Sequence, residues 1–256
     1  MSTRHPYFDN GGRPIALAHR GFDLDGLENS MKAFQAAVDL GFRYLETDAH
    51  GTRDGVAVAL HDETLDRTTD ATGAVAERDW KSVGAARIGG VEPVPKLEDI
   101  LGTWPDVKVN IDVKEQSGIE PTAKAIERTG AHDRVCLGSF SADRRRATVK
   151  LLSRPVAMPA SEREAIAWWL GTWVGADADK TLGGVDGLQI PWRKDPFPFI
   201  FKRHVEAAHA AGKQVHIWTV NRRDHMEHLL DIGVDGLVSD RADILKEVLI
   251  ARDQWA

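Results

Sequence analysis

The sequence predicts an α/β protein, a (β/α)8 TIM barrel with a small insertion after strand two. Three observations carry this. Eight short runs rich in apolar and β-branched residues recur along the 256 residues, at 14–19, 43–49, 107–113, 134–140, 154–159, 186–190, 213–220 and 235–239. Most are separated by segments of helical period, the alternation that marks βαβ units and a parallel sheet. Charged and imidazole groups sit at the carboxyl ends of the runs, and in a closed barrel those ends form one face. The length suits one barrel domain, read as 1–256. An open doubly wound sheet is the alternative topology.

The elements follow in order. Pro14-Ile15-Ala16-Leu17-Ala18 is the first strand and runs into His19-Arg20-Gly21. The segment 30–40 places Met31, Phe34, Ala37 and Val38 on one helical face. The second strand carries Glu46 and Asp48, with His50 after it. Thr52-Arg53-Asp54-Gly55 then separates it from the apolar run 56–60, and an Asp-Gly turn between two such runs signals a hairpin. Residues of about 62–97 are rich in polar residues and glycine with few periodic apolar positions, and are expected to form the insertion over the barrel mouth. The third strand ends in Asp112 and Lys114, and the fourth in Ser139. Gln189 lies on the sixth, Trp218 on the seventh, and Asp240 follows the eighth. Helices are expected at 122–129, 142–152, 200–211 and 223–232. The last two include His204, His209, His225 and His228, read as exposed polar faces.

Strand alternation points Glu46 and Asp48 to one side, and Asp112 and Lys114 likewise. Carboxylates converging in this way repel one another unless a cation or shared protons offset the charge. Glu46, Asp48 and Asp112 are oxygen donors with no thiolate nearby, which favours one hard divalent cation, Mg2+ or Ca2+, over zinc. Imidazoles titrate near neutrality and suit proton transfer, while Arg20 and Lys114 suit phosphoryl oxygens. Such a set fits metal-assisted attack on a phosphate ester. Taken singly, each group also fits a hydrogen-bonded strand end or an ion pair, and His50 is open between a site group and a supporting one. Their joint placement on one rim carries the reading.

Composition excludes several classes. The net charge is −6, and Arg144-Arg145-Arg146 is too short for a nucleic-acid arm. Cys136 is the single cysteine, so an internal disulfide is ruled out. Residues 1–10 hold no apolar signal segment and no stretch is long enough to span a bilayer. A cytoplasmic protein without stable membrane insertion is expected.

The residues resemble the glycerophosphodiester phosphodiesterase family. The matching motifs are Ala18-His19-Arg20-Gly21, Leu27-Glu28-Asn29-Ser30 with Ala33-Phe34, Tyr44-Leu45-Glu46-Thr47-Asp48, Thr52-Arg53-Asp54-Gly55 and His61-Asp62. Leu65-Asp66-Arg67-Thr68-Thr69, Pro95-Lys96-Leu97, Asn110-Ile111-Asp112-Val113-Lys114 and Ser139-Phe140 continue it. Trp218-Thr219-Val220-Asn221 and Asp235-Gly236-Leu237-Val238-Ser239-Asp240 complete it, in order over about residues 14–243. The resemblance implies a (β/α)8 barrel that cleaves a glycerophosphodiester to sn-glycerol 3-phosphate and an alcohol, with the glycerol hydroxyl as nucleophile. It implies His19 and His61 as acid/base pair, Glu46, Asp48 and Asp112 on one divalent cation, and Arg20 and Lys114 on the phosphate, with Trp218 a further substrate contact. Two positions depart from the pattern. The third acid is usually Glu and here is Asp112, and the Pro usual before Glu-Asn is Leu27, a change expected to matter little.

Two aromatic segments remain, Trp168-Trp169 with Trp173, and Trp192 with Phe197, Phe199 and Phe201. Either they wall an acyl-chain site, which would make the protein a lysophospholipase D acting on lysophospholipids, or they are helix core or subunit packing. A phosphatidylinositol-type barrel phospholipase and a non-catalytic phospholipid-binding barrel are the rival functions. Product identity separates the first. The second predicts loss of a histidine or acid, and all are present.

Overall fold

The computed structural model describes residues 5–176, 178–194 and 197–255, with backbone alone at 179, 194, 197 and 198. The side chain of Phe197 is therefore outside the described residues. Seven parallel staves form: Ile15–His19, Tyr44–Gly51, Lys108–Val113, Val135–Gly138, Gly187–Pro191, Gln214–Trp218 and Gly236–Ser239. They pair in the order fourth, third, second, first, eighth, seventh, sixth. The sheet closes between the fourth and sixth through residues 157–159. Cys136 bridges Ala157 and Pro159 bridges Gly187, both parallel, and the Leu137 N–H donates to the Ala157 carbonyl at 2.8 Å. This fifth stave, expected at 154–159, is held by single bridges because Pro159 has no N–H to give.

The eight staves agree with the runs read from sequence. The fourth is shorter than expected because Ser139 leaves the ladder and its Oγ donates to the Val113 carbonyl at 2.8 Å. Helices Met31–Asp39, Ile119–Thr129, Ala142–Val149, Lys202–Ala210 and Arg223–Asp231 fall where the periodicity placed them. Leu97–Thr103, Glu162–Trp173 and Ala242–Ala251 are further helices. The first begins where the insertion was expected to end. None of the described helices is long and apolar enough to cross a membrane.

The hairpin also forms. Ala57–Ala59 pairs antiparallel with the second stave, Ala49 opposite Ala59. The insertion is stabilised by apolar residues that are singly spaced rather than periodic, because its elements are too short to show a period. Leu65, Val75, Val83, Ile88 and Val94 are buried together. Leu27, one of the departures from the family pattern, joins this cluster and so ties the loop after the first stave to the insertion.

His204 corrects the reading of the helical histidines. It is fully buried, with ring centroids of Trp168, Trp169, Trp173 and Phe201 5.6–5.9 Å away. Its Nδ1 accepts the Phe201 N–H at 3.1 Å at the start of Lys202–Ala210. Helical spacing alone does not say which face meets the neighbouring helix, and here the face is Glu162–Trp173. His209 and His228 are exposed as expected, and His225 is half-buried against Trp192.

Burial, with Arg203 beside it, pushes the His204 imidazole down to about 4. The folded state therefore binds this proton less readily than the unfolded chain, whose histidine titrates near 6.5. Stability is present above about pH 6.5 and is lost as pH falls toward 4, by on the order of 3 kcal/mol. The variant His204→Asn, which retains an acceptor near the Phe201 N–H, is expected to flatten this part of the urea-unfolding pH profile. An unchanged slope would show that another group carries it.

Candidate active site

The register of the first three staves assembles the site. His19 lies opposite Glu46, Glu46 opposite Asn110, and Asp48 opposite Asp112. All these positions share one phase of the alternation, so their side chains point into the barrel. His19, Arg20, Glu46, Asp48, His61, Asp112, Lys114 and Trp218, the complete set read from the sequence, line one cavity of about 400 Å3.

Arg20 reaches it through a strained backbone. Its φ is +54°, a left-handed conformation costing a non-glycine residue about 1–3 kcal/mol. The turn is held by its N–H, which is 3.0 Å from the Glu46 carbonyl and 3.1 Å from Glu46 Oε2. Gly21 must follow: its φ is +89°, and a Cβ there would lie 2.6 Å from the Ala33 carbonyl carbon. The returning loop is pinned by Asn29, whose Nδ2 donates to Asp48 Oδ2 at 3.2 Å and whose Oδ1 accepts from Thr47 Oγ1 at 2.7 Å.

The acids differ in charge state. Burial, then the Asp48 charge beside it, pushes Glu46 up to about 7. Burial acts on Asp48 in the same sense, but Lys114 and Arg20 outweigh it and hold this carboxyl below its ordinary range. Lys114 Nζ stands 3.3 Å from Asp48 Oδ1 and 3.1 Å from Asp112 Oδ2. Arg20 Nε is 3.1 Å from Asp48 Oδ2, an ion pair without hydrogen-bond alignment. Burial raises Asp112 despite Lys114, and its Oδ1 is buried with no hydrogen-bond partner. Among the described residues no three His, Cys, Asp or Glu side chains form a ready-made metal cluster, since Asp112 is turned to Lys114. The donor chemistry nevertheless fits a hard cation: it would satisfy the orphaned Asp112 oxygen and offset the burial and repulsion that raise Glu46.

Each imidazole is anchored by a carboxylate at Nδ1. His19 Nδ1 is 2.5 Å from Asp240 Oδ1, with Nε2 3.7 Å from Glu46 Oε2. Burial disfavours its protonated form, but Glu46 and the Asp240 hydrogen bond outweigh this and raise its pKa. His61 Nδ1 is 2.6 Å from Asp62 Oδ1. His50 does not reach the cavity. It is buried, and its Nε2 lies 3.1 Å from the His61 carbonyl, so it supports the backbone of His61.

The sequence noted Asp240 as a strand-end acid but gave it no partner. Gln189, whose Nε2 donates to Asn110 Oδ1 at 2.8 Å across the cavity, was likewise noted without one. The signal for both was their place at the rim. The aromatic segments divide. Ile166 and Phe199, with Phe140 and Trp218, also line the cavity, and the Phe140 ring lies 5.6 Å from Lys114 Nζ. Trp168 is buried, and Trp169 stacks on Phe199 at 4.9 Å with its Nε1 donating to the Phe199 carbonyl. The tryptophans of 168–173 thus pack helix on helix rather than line the cavity.

At the level of the fold, solved structures define the class. A glycerophosphodiester phosphodiesterase from Agrobacterium tumefaciens matches with a TM-score of 0.72 at 23% identity, over 92% of this chain and 98% of its own. An Oleispira antarctica phosphodiesterase, solved with sn-glycerol 3-phosphate, matches at 0.74 and 20% identity over 93% and 97%. The protein is a (β/α)8 barrel. In sequence, it is 48% identical over 252 residues to probable glycerophosphodiester phosphodiesterase 2 of Mycobacterium tuberculosis, covering 97% of this chain and 95% of that one. The model of the glycerophosphoryl diester phosphodiesterase family matches residues 19–244, and the chain belongs to that family of phosphodiester hydrolases.

Gly21→Ala is expected to destabilise the protein by more than about 2 kcal/mol, combining backbone strain with the Ala33 clash. Gly55→Ala, at φ +80° with open space around it, meets the strain alone and should lose less. Equal losses in chemical denaturation would remove the packing argument at Gly21.

Proposed function

We propose that this protein hydrolyses glycerophosphodiesters to sn-glycerol 3-phosphate and an alcohol, with His19 and His61 as the acid-base pair. The observation that carries the reading is the pair of imidazoles on one cavity, each tied at Nδ1 to its own carboxylate. That anchoring fixes the ring and leaves Nε2 for proton transfer, the orientation logic of a nucleophile-activating histidine. One imidazole takes the proton of the glycerol hydroxyl that attacks phosphorus. The bond from phosphorus to the departing alcohol breaks, and the other imidazole protonates the alkoxide. Water then opens the cyclic ester as the two imidazoles exchange roles.

Arg20 and Lys114 supply fixed positive charge for the phosphoryl oxygens, and Trp218 bounds the substrate. Glu46, Asp48 and Asp112 would hold one divalent cation, Mg2+ or Ca2+. When bound, the cation neutralises charge gathering on the phosphoryl oxygens. The chain acts as one barrel domain with an insertion over about 62–97, in the cytoplasm. The apolar residues in the cavity lining, Phe140, Ile166, Phe199 and Trp218, with Ile166 41% exposed, favour a second reading in which the diester is a lysophospholipid.

Metal-stripped protein given glycerophosphocholine and Mg2+ or Ca2+ is expected to release sn-glycerol 3-phosphate and choline. Lysophosphatidic acid from lysophosphatidylcholine alone would replace the first reading by the second, and silence on both would refute the two together. His19→Ala and His61→Ala should each lose at least about 100-fold in kcat while titrating with cation as the wild type does. Near-normal turnover in either removes that histidine from the mechanism. Glu46→Gln should weaken cation binding in calorimetry, and an unchanged isotherm would sink the ligand assignment.

A further inference from the structure

Arg67 lies in the insertion, outside the residues that line the cavity, yet both edges of its guanidinium are used. Nε and Nη2 donate to Asp62 at 2.6 and 3.1 Å, and Nη2 and Nη1 donate to Glu28 at 2.7 and 3.2 Å. Asp62 is the carboxylate that holds His61 Nδ1 at 2.6 Å, and Glu28 holds Arg20 Nη1 at 3.0 Å. One side chain thus joins the anchor of an imidazole to the anchor of a guanidinium, across the loop after the first stave, the turn at His61 and the insertion.

A planar fork bound to two carboxylates sets their planes as well as their distance. Asp62 accepts Arg67 on both oxygens, so its rotation is fixed, and Oδ1 is left aimed at His61. Mere attachment of the insertion does not call for this arrangement. The insertion has its own buried apolar cluster with Leu27 contributed from the loop, while the Arg67 side chain is 49% exposed. Exposed ion pairs of this kind add little to stability, about 0–1 kcal/mol.

We propose that Arg67 is a positioning residue of the reaction, holding Asp62 and Glu28 so that His61 and Arg20 face the cavity in register. This rests on the roles given above to His61 and Arg20. Arg67 touches no reacting atom. Its effect should fall mainly on turnover through His61, because Arg20 keeps its own pairing to Asp48 when Glu28 is released, with the size expected for a group that orients a functional side chain, about 10–100-fold.

The test uses the full chain with bound cation and glycerophosphocholine. Arg67→Ala should lower kcat by about 10–100-fold with KM within about threefold and little change in Tm. Added guanidinium, at concentrations that leave the wild type unaffected, should restore part of the loss, because the half-exposed site admits it. Arg67→Lys should remain impaired, since a point charge cannot grip two carboxylates in fixed planes. In an Asp62→Asn background the further loss on removing Arg67 should be smaller than in the wild type. Unchanged kcat in Arg67→Ala, kcat and Tm falling together without guanidinium rescue, or fully additive losses would each overturn the inference. Full activity in His61→Ala and Asp62→Asn would overturn the underlying role of His61, and this inference with it. Normal Arg67→Ala beside inactive His61→Ala would overturn this inference alone.

Discussion

Glu46 and Asp48 stand two residues apart on one buried stave, so the alternation of a strand forces both carboxyls into the barrel interior. Two such groups cannot both be charged there without compensation. The surroundings answer in different ways. Asp48 receives Lys114, Arg20 and the Asn29 amide, and stays ionised. Glu46 receives the Arg20 backbone N–H and the more distant His19, which is too little to offset burial and the Asp48 charge, and so it is pushed up to about 7. Much of the mouth is arranged by this one imbalance.

The compensation reaches outward in sequence. Arg20 can serve Asp48 only because its backbone takes a left-handed turn, and that turn exists only where Gly21 lets the first helix come close. Glu28 holds the other end of the Arg20 guanidinium, and Arg67 holds Glu28. The insertion is therefore coupled to the barrel rim in two ways: through Leu27 packed in its apolar cluster and through the ion pairs of Arg67.

The mouth combines charged and apolar groups. The first three staves and the hairpin supply His19, Arg20, Glu46, Asp48, His61, Asp112 and Lys114, while the fourth to seventh contribute Phe140, Ile166, Phe199 and Trp218 together with Glu162 and Arg193. A charged diester and an apolar substituent thus both find matching groups in one cavity. Asp112, one methylene shorter than the glutamate of the family pattern, lies against Lys114 with an unpartnered oxygen.

Local pattern was enough for the staves, five of the helices, the hairpin and the rim. Alternation and period are properties of neighbouring residues, and in a barrel they alone decide which ends meet. The eight residues expected at the site therefore converge on one cavity. Partners distant in the chain were not legible in this way. The Asp240 contact to His19 spans 221 residues, and the contacts of Arg67 to Glu28 span 39; no local signal pairs them. His204 was misplaced because helical spacing names a face but not what covers it, and only packing against Glu162–Trp173 buries it. By itself the sequence determined which groups stand on the rim, because strand geometry is local. Which of them are paired, buried or protonated was decided by the tertiary structure, because burial and electrostatic coupling depend on distances in space between residues far apart in the chain.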